Sequence, residues 1–239
     1  MLSQILLLLT FLSPQFKLSS DKNIYLKGKG PPLIFSTGLF GAMPNFLYSN
    51  LQNQLSKNFT LVLNKNYKPF IEEDIEEISE ELEVEKLALF AHSSTNEKIL
   101  ESEFFDKIVL CDPIIIPNLN TLIGNTKKIQ TTGDILIIKA EKLYRSDRQL
   151  PEVQNPIFNK KKIYKELIYK DVGHPDLLND YWANLAIKTQ LWRGITIARE
   201  RKKFKDWKFD KNNNYRKKLE KKRKEYRKFI NEETINFIL

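Results

Sequence analysis

The sequence predicts an α/β fold in which a mainly parallel sheet is covered by helices. Short apolar runs alternate along the chain with segments of helical spacing, which is typical of strands joined by crossover helices. Apolar runs such as 108–111 are continuous, which is typical of strands that are buried on both faces. The 239 residues, 41% of them hydrophobic, are sufficient for one domain with a substantial core.

The elements follow one another in a regular order. The apolar runs predict strands over 33–35, 59–63, 86–91, 107–111, 135–139 and 166–169. Apolar residues recur at helical spacing over 46–55, 71–82 and 176–198. Segment 113–134 contains two prolines and two glycines and predicts a crossover or a small lid, whereas 140–162 predicts a surface loop.

The positive charge is concentrated near the C-terminus. Segment 199–228 contains 16 basic and 5 acidic residues, whereas the whole chain has a net charge of +9, so the rest is close to neutral. We therefore expect a basic helical tail over 199–239. A solvated helix and attachment to an anionic membrane surface both fit this tail. Nucleic acid is the least favoured partner, because no motif that reads nucleic acid accompanies the charge.

The N-terminal segment 1–23 begins with an apolar run. Residues 1–12 resemble a short signal sequence but lack a basic start and a small-residue cleavage site. The run is also too short to span a bilayer, which takes about 20 apolar residues. Burial or attachment to a membrane surface is favoured over secretion, so an intracellular or membrane-associated location is expected.

Metal and cofactor chemistry is not expected from the composition. The chain has two histidines, His92 and His174, and one cysteine, Cys111. These residues are too few for a His/Cys metal cluster, and a lone cysteine forms no intrachain disulfide. Cys111 ends an apolar run and is predicted to be a buried, unreactive side chain.

Ser93, Asp112 and His174 have the residue types that nucleophilic catalysis needs. They follow the third, fourth and sixth predicted strands, and the carboxyl ends of parallel strands meet at one edge of a sheet. A serine hydroxyl is a poor nucleophile until a histidine takes its proton, and that histidine needs an acid to orient it. His92 precedes the serine and is expected to be a packing or supporting residue, because adjacent side chains on a strand face opposite ways.

Four stretches of the sequence resemble the α/β-hydrolase superfamily of serine hydrolases. Residues 32–41 are similar to the oxyanion loop, and 91–95 to the Gly-His-Ser-x-Gly turn that carries the nucleophile. Residues 111–114 and 173–180 are similar to the Asp-Pro-Val and Gly-His-x-Asp-Met-Leu-Asp-Asp stretches of chlorophyllase-like hydrolases. The resemblance covers about residues 31–195.

Carried over residue by residue, the resemblance implies Ser93 as nucleophile, Asp112 as acid and His174 as base. The backbone N–H groups of Leu39 and Ser94 would form the oxyanion hole, which stabilises the charge of the tetrahedral intermediate. The resemblance also implies an α/β-hydrolase domain over 24–198, followed by the basic tail.

Other acids remain open at this stage. In many α/β-hydrolases the acid follows the next strand, where Glu141 and Asp147 are the candidates. Asp112 is favoured because it follows its strand directly and matches the chlorophyllase-like pattern.

Three positions depart from the family pattern. Ala91 and Thr95 replace the glycines that flank the nucleophile turn, and Thr37 replaces the histidine of the oxyanion loop. A β-branched residue after the turn crowds the contact of strand and helix. The departures leave two hypotheses, a divergent enzyme and a catalytically inactive α/β-hydrolase-like protein.

The expected substrate is a small-molecule or lipid-like carboxylic ester that carries an apolar group. Phe40, Met43 and Phe46 follow the oxyanion loop and could line a pocket for that group, although core packing explains them equally well. The predicted activity is that of a carboxylic ester hydrolase, and the reaction needs no cofactor.

Overall fold

An eight-stranded sheet organises the residues that the computed structural model describes, which are 16–38, 41–65, 68–93, 97–113, 129–141, 162–189 and 214–239. The strands are β1 (Phe16–Lys17), β2 (Asn23–Lys27), β3 (Pro32–Ser36), β4 (Thr60–Asn64), β5 (Leu87–His92), β6 (Phe105–Cys111), β7 (Asp134–Ala140) and β8 (Ile163–Tyr169). The helices are α1 (Ser49–Leu55), α2 (Glu72–Glu81), α3 (Glu97–Leu100), α4 (Asp180–Thr189) and α5 (Asn214–Ile238). Short 3₁₀ turns at Asn45–Tyr48 and His174–Leu177 precede α1 and α4.

The sheet is mainly parallel, as predicted. Its strand order is β1-β2-β4-β3-β5-β6-β7-β8, and only the pairings of β2 with β1 and β4 are antiparallel. Strand β5 lies between β3 and β6, and all six of its residues are buried. Its carboxyl end is therefore enclosed by neighbouring strands.

Helices cover both faces of the sheet, and alternation along β5 separates the two layers of the core. Ala88 and Phe90 belong to the cluster that includes residues of α1, α4 and α5. Leu89 and Ala91 belong to the cluster that includes residues of α2 and α3. Because side chains alternate along a strand, His92 falls on the same face as Phe90.

The predicted strands and helices correspond to β3 to β8, α1, α2 and α4, with ends that differ by a few residues. Strands β1 and β2 were missed, since one has two residues and the other is an antiparallel strand near the sheet edge with mixed polarity. Residues 1–15, most of 113–134 and most of 140–162 lie outside the described residues, and so does the part of the predicted helix 176–198 after residue 189.

The described part of the N-terminal segment packs onto the body of the protein. The Leu18 side chain is buried in the core cluster that includes residues of α2 and α3. The Lys22 ammonium lies 2.7 Å from the carboxylate of Asp74 on α2, and both side chains are buried. Two residues that precede position 24, Leu18 and Lys22, are thus buried against the body of the protein.

The predicted basic C-terminal helix is present as α5, and one of its faces packs into the core. Tyr226 and Ile230 are fully buried in the core cluster that includes residues of α1 and α4. These residues and Leu219 recur at helical spacing and lie on the buried face of the helix, together with Arg223 and Arg227. The opposite face exposes Lys217, Lys218, Lys221, Lys224 and Lys228. Within the described residues, no helix has the length and apolar character needed to cross a bilayer.

Candidate active site

Ser93 lies immediately after β5 in a left-handed backbone conformation. Its φ is +63°, a region that non-glycine residues seldom occupy outside constrained turns. Its N–H donates a hydrogen bond of 2.9 Å to the Cys111 carbonyl on the neighbouring strand. The chain therefore leaves the strand abruptly and fixes the hydroxyl at the carboxyl edge of the sheet.

Asp112 repeats this arrangement one strand along. It follows β6 with a φ of +47°, and its N–H donates to the Ile138 carbonyl at 2.8 Å. One oxygen of its carboxylate accepts the N–H of Ala140, the last residue of β7. The fully buried carboxylate is thereby held against the sheet edge.

His174 opens the 3₁₀ turn after β8 and reaches the serine. Its Nε2 lies 2.9 Å from the Ser93 hydroxyl oxygen. Its Nδ1 lies 3.5 Å from Oδ2 of Asp112, which is longer than an ordinary hydrogen bond. The structure thus brings the three residues together in the order serine, imidazole and carboxylate, although their roles in catalysis stay a prediction.

Burial sets the charge state of this cluster. It lowers the pKa of the His174 imidazole to about 3 and raises the pKa of the Asp112 carboxyl to about 7. Burial, aided by the neighbouring His174, also lowers the pKa of His92 well below its usual range. Both imidazoles are therefore neutral at neutral pH, and a neutral imidazole is the form that can accept a proton.

His92 supports the His174 ring without contacting the serine hydroxyl in any described hydrogen bond. The two rings stack with centroids 4.4 Å apart and an angle of 23° between their planes. His92 Nδ1 lies 2.8 Å from the Tyr48 hydroxyl, which accepts the Gly38 N–H at 3.1 Å. The Tyr48 hydroxyl also lies 3.5 Å from the Met43 sulfur, so this tyrosine joins the loop after β3 to the His92 ring.

The loop after β3 closes beside the serine. Thr37 donates its hydroxyl to the Met43 carbonyl at 2.7 Å, so the residue that replaces the family histidine fixes this loop. A Cβ added to Gly38 would lie 3.3 Å from the Ser93 Cβ and 3.0 Å from the Met43 sulfur. Gly38 therefore allows the loop to approach the serine closely.

Of the remaining predicted site residues, the structure describes only some. Leu39, Phe40, Ser94, Thr95 and Asp147 lie outside the described residues. Met43 is half-buried near the Tyr48 hydroxyl, whereas Phe46 is 52% exposed and packs against Trp182. Glu141 accepts the Asp171 N–H at 3.0 Å.

A small cation is the alternative occupant that this geometry permits. One potential donor atom from each of His92, Asp112 and His174 lies within 4.8 Å of the others, and all three residues are buried. The hydrogen bond between His174 and Ser93 favours instead a proton relay, because it directs an imidazole nitrogen to the hydroxyl.

Sequence reasoning missed two residues of this region. Tyr48 lies within a predicted helix and gave no signal of its contact with His92. Asp176 belongs to the histidine motif, and its carboxylate accepts the Gly173 N–H at 2.7 Å. The family motif contains an acid at that position and could have pointed to Asp176 as a local support for the turn.

Solved structures that are similar in fold include α/β-hydrolases of low sequence identity. An α/β fold family hydrolase from Bacillus anthracis str. Sterne is 22% identical over 38% of this chain and 40% of its own, with a TM-score of 0.31. An α/β hydrolase enzyme from a lagoon-sediment metagenome of Mar Chica, Morocco, is 10% identical over 78% and 98% of the two chains, with a TM-score of 0.45. An α/β hydrolase fold protein from Burkholderia ambifaria is 11% identical over 77% and 99%, also with a TM-score of 0.45.

This chain thus spans less than half the length of the Bacillus anthracis hydrolase that it matches. Neither a protein-family model nor a curated protein matches the sequence. The α/β architecture that the sequence predicted is confirmed, with a mainly parallel sheet, covering helices and a serine at a left-handed turn after β5.

The substitution Asp112→Asn tests the electrostatics of the buried acid. The pKa of this carboxyl is raised by burial from 3.8 to about 7, so the folded protein binds the proton more tightly than the unfolded chain does. The contribution of this carboxyl to the free energy of unfolding should therefore fall as the pH rises from about 4 to about 7, on the order of 3 kcal/mol. His92 and His174 also titrate, with the opposite sign, but they are present in both proteins, so the comparison with the variant isolates Asp112. The variant lacks this titration.

Urea unfolding of both proteins across pH 4 to 8 measures this effect. The variant should become more stable relative to the wild type as the pH rises. A difference between the two proteins that does not vary with pH would contradict the buried, proton-binding carboxyl.

The substitution Tyr48→Phe tests the hydrogen-bond chain from the loop to His92. It leaves the Gly38 N–H and His92 Nδ1 buried without this partner, so the free energy of unfolding should fall by about 1–3 kcal/mol. The control is Tyr164→Phe, at a tyrosine that is 65% exposed, which should change stability little. Equal stability of the two variants in urea unfolding would exclude a structural role for the Tyr48 hydroxyl.

Proposed function

We propose that the protein is a serine hydrolase that cleaves a carboxylic ester with an apolar group. The observation that carries this proposal is the 2.9 Å contact between His174 Nε2 and the Ser93 hydroxyl at the carboxyl edge of the sheet. A base within hydrogen-bond reach of a serine at a constrained turn is the arrangement that activates the hydroxyl.

In the proposed first step, Ser93 Oγ attacks the ester carbonyl carbon and forms a bond to it. The hydroxyl proton passes to His174 Nε2, and the carbonyl π electrons move to the oxygen. The tetrahedral intermediate collapses, the bond to the leaving alcohol breaks, and His174 returns the proton to that alcohol. Water then repeats the sequence on the acyl-enzyme and releases the acid.

Asp112 has the role of compensating the charge that forms on the imidazole. Burial lowers the pKa of His174 to about 3, so its protonation inside the protein needs a nearby negative charge. Once ionised, the carboxylate 3.5 Å from Nδ1 would supply that charge, and catalytic hydrogen bonds often tighten only in the complex with substrate. These contacts favour Asp112 over Glu141 as the acid.

Stabilisation of the oxyanion is assigned, within this proposal, to the N–H groups of Leu39 and Ser94. The close approach of Gly38 to Ser93 supports this assignment, since it brings the chain just before Leu39 beside the nucleophile. Half-buried Met43 adjoins the same loop and fits an apolar subsite for the ester, for which Phe40 remains a further candidate.

Covalent labelling by a fluorophosphonate probe tests the proposed nucleophile. The wild type should be labelled at Ser93, and Ser93→Ala should take no label. His174→Ala should be labelled at least about a hundredfold more slowly than the wild type, because the base is lost. Ser102→Ala is a matched control, since Ser102 is also fully buried and should leave labelling intact.

The labelling rate should also increase as the pH rises through about 7, because Asp112 must ionise before it can stabilise the charged imidazole. Folded wild-type protein that takes no label between pH 6 and 9 would contradict the enzyme proposal. Label on a serine other than Ser93 would contradict the assignment of the nucleophile.

A second candidate function is a catalytically inactive α/β-hydrolase-like protein that acts at an anionic membrane. The 3% exposure of Ser93 and the 1% exposure of His174 favour it, since a substrate must gain access to a nearly closed site. The exposed lysines of α5 give this candidate a binding surface, because basic helices are attracted to anionic lipid headgroups.

Substitution of Lys217, Lys218, Lys221, Lys224 and Lys228 by glutamine tests that surface. The wild type should sediment with vesicles that contain phosphatidylserine, and added salt should weaken the binding because it screens the charges. The variant should lose this binding while it keeps its stability, since these side chains are exposed. Vesicle binding that the five substitutions leave unchanged would exclude α5 as the contact.

A further inference from the structure

Helix α5 contains two buried arginines on the face that meets the histidine turn. Arg223 is 1% exposed and Arg227 is 3% exposed, which is unusual for a side chain that always carries a charge. Among the described residues, their hydrogen-bond partners belong to the segment from Asp176 to Asn184. A helix that the sequence identified only as a basic tail therefore has a specific polar contact with the loop of the proposed base.

Arg223 reaches the backbone just before His174 through a single carboxylate. Its Nε donates to Oδ1 of Asp176 at 2.7 Å, and Oδ2 of the same carboxylate accepts the Gly173 N–H at 2.7 Å. A second guanidinium nitrogen donates to the Asn184 side chain on α4 at 2.5 Å. These bonds define both the position and the orientation of Asp176.

Arg227 holds the other end of the same turn. It donates to the Leu178 carbonyl at 2.8 Å and to the Asp180 carboxylate at 3.1 Å. Leu178 follows the 3₁₀ turn and Asp180 begins α4. The segment that carries His174 is therefore attached to α5 before and after the imidazole.

Stability alone does not account for this arrangement. A buried ion pair gains little over well-packed apolar side chains of similar volume, because desolvation of the two charges offsets their attraction. A planar guanidinium with several donors does, however, fix geometry in a way that apolar contacts do not. The turn that the arginines hold also carries His174, so their contacts can fix the 2.9 Å distance between His174 Nε2 and the Ser93 hydroxyl.

We propose that Arg223 is a positioning residue for His174, which it holds against Ser93 through Asp176 and the Gly173 backbone. The inference rests on the proposed function for its catalytic consequence, whereas the positioning itself is a structural claim about one imidazole. The C-terminal helix is on this view part of the active-site framework.

Labelling kinetics of the full-length protein test the catalytic consequence. Arg223→Met should lower the maximal fluorophosphonate labelling rate about tenfold to a hundredfold, with little change in the probe concentration that gives half-maximal rate, because a small displacement of the base slows proton transfer. Arg223→Lys keeps the charge and one donor and should recover part of the rate. Asp176→Asn should slow labelling similarly, and the double variant should be no slower than Arg223→Met alone.

Ile230→Ala is the matched control for a general loss of stability. Ile230 is fully buried on the same helix, and its apolar side chain makes no hydrogen bond to the turn. The labelling rates of Arg223→Met and Ile230→Ala are compared at a temperature where both are folded by circular dichroism. Equal rates for the two variants would overturn the proposal.

A nitrogen NMR measurement separates this proposal from the proposed function. The chain has two histidines, so ¹⁵N-histidine labelling gives a simple spectrum that His174→Gln assigns. Arg223→Met should shift or broaden the ring signals of His174, and Ile230→Ala should leave them in place. If the wild type does not react with the fluorophosphonate probe but Arg223→Met changes the His174 signals, the enzyme proposal fails and the positioning role stands. Unchanged His174 signals in Arg223→Met would overturn the positioning role, whether or not the wild type reacts with the fluorophosphonate probe.

Discussion

The parallel arrangement of β5 to β8 delivers three strand ends to one edge of the sheet, and the site depends on this constraint. The registers of β5 with β6 and of β6 with β7 bring the ends of these strands side by side. Ser93 and Asp112 then leave their strands through left-handed residues whose N–H groups bond to the next strand. The two side chains are consequently fixed by backbone pairing, and only the imidazole arrives on a separate turn.

That turn is held by contacts that lie far apart in the sequence. His174 stacks on His92 from β5, while Asp176 of the same turn binds Arg223 from α5. The site is therefore a meeting point of the sheet edge, the loop after β3 and the C-terminal helix. Burial of these groups strengthens every electrostatic interaction among them, and it also makes each unpaired charge costly.

Helix α5 combines two properties that its composition alone does not separate. One face contributes Tyr226, Ile230 and the two arginines to the interior, and the other exposes lysines to solvent. A surface role and an internal role can therefore coexist in one helix. Removal of α5 would expose the core cluster that it shares with α1 and α4. A truncated chain would therefore not separate the surface role of the helix from its internal role.

The sequence by itself determined the fold class, most strands of the sheet and the three residues that converge at its edge. These features follow from local signals, which are continuous apolar runs, helical spacing and polar residues placed directly after strands. The short strands β1 and β2 carried too weak a pattern to be recognised. Only the tertiary structure decided that Tyr48 binds His92, that Phe46 is exposed, and that Arg223 and Arg227 are buried against the histidine turn. Such contacts depend on which faces meet after folding, and a charged residue at a helical position has the same local pattern whether it faces solvent or a buried carboxylate.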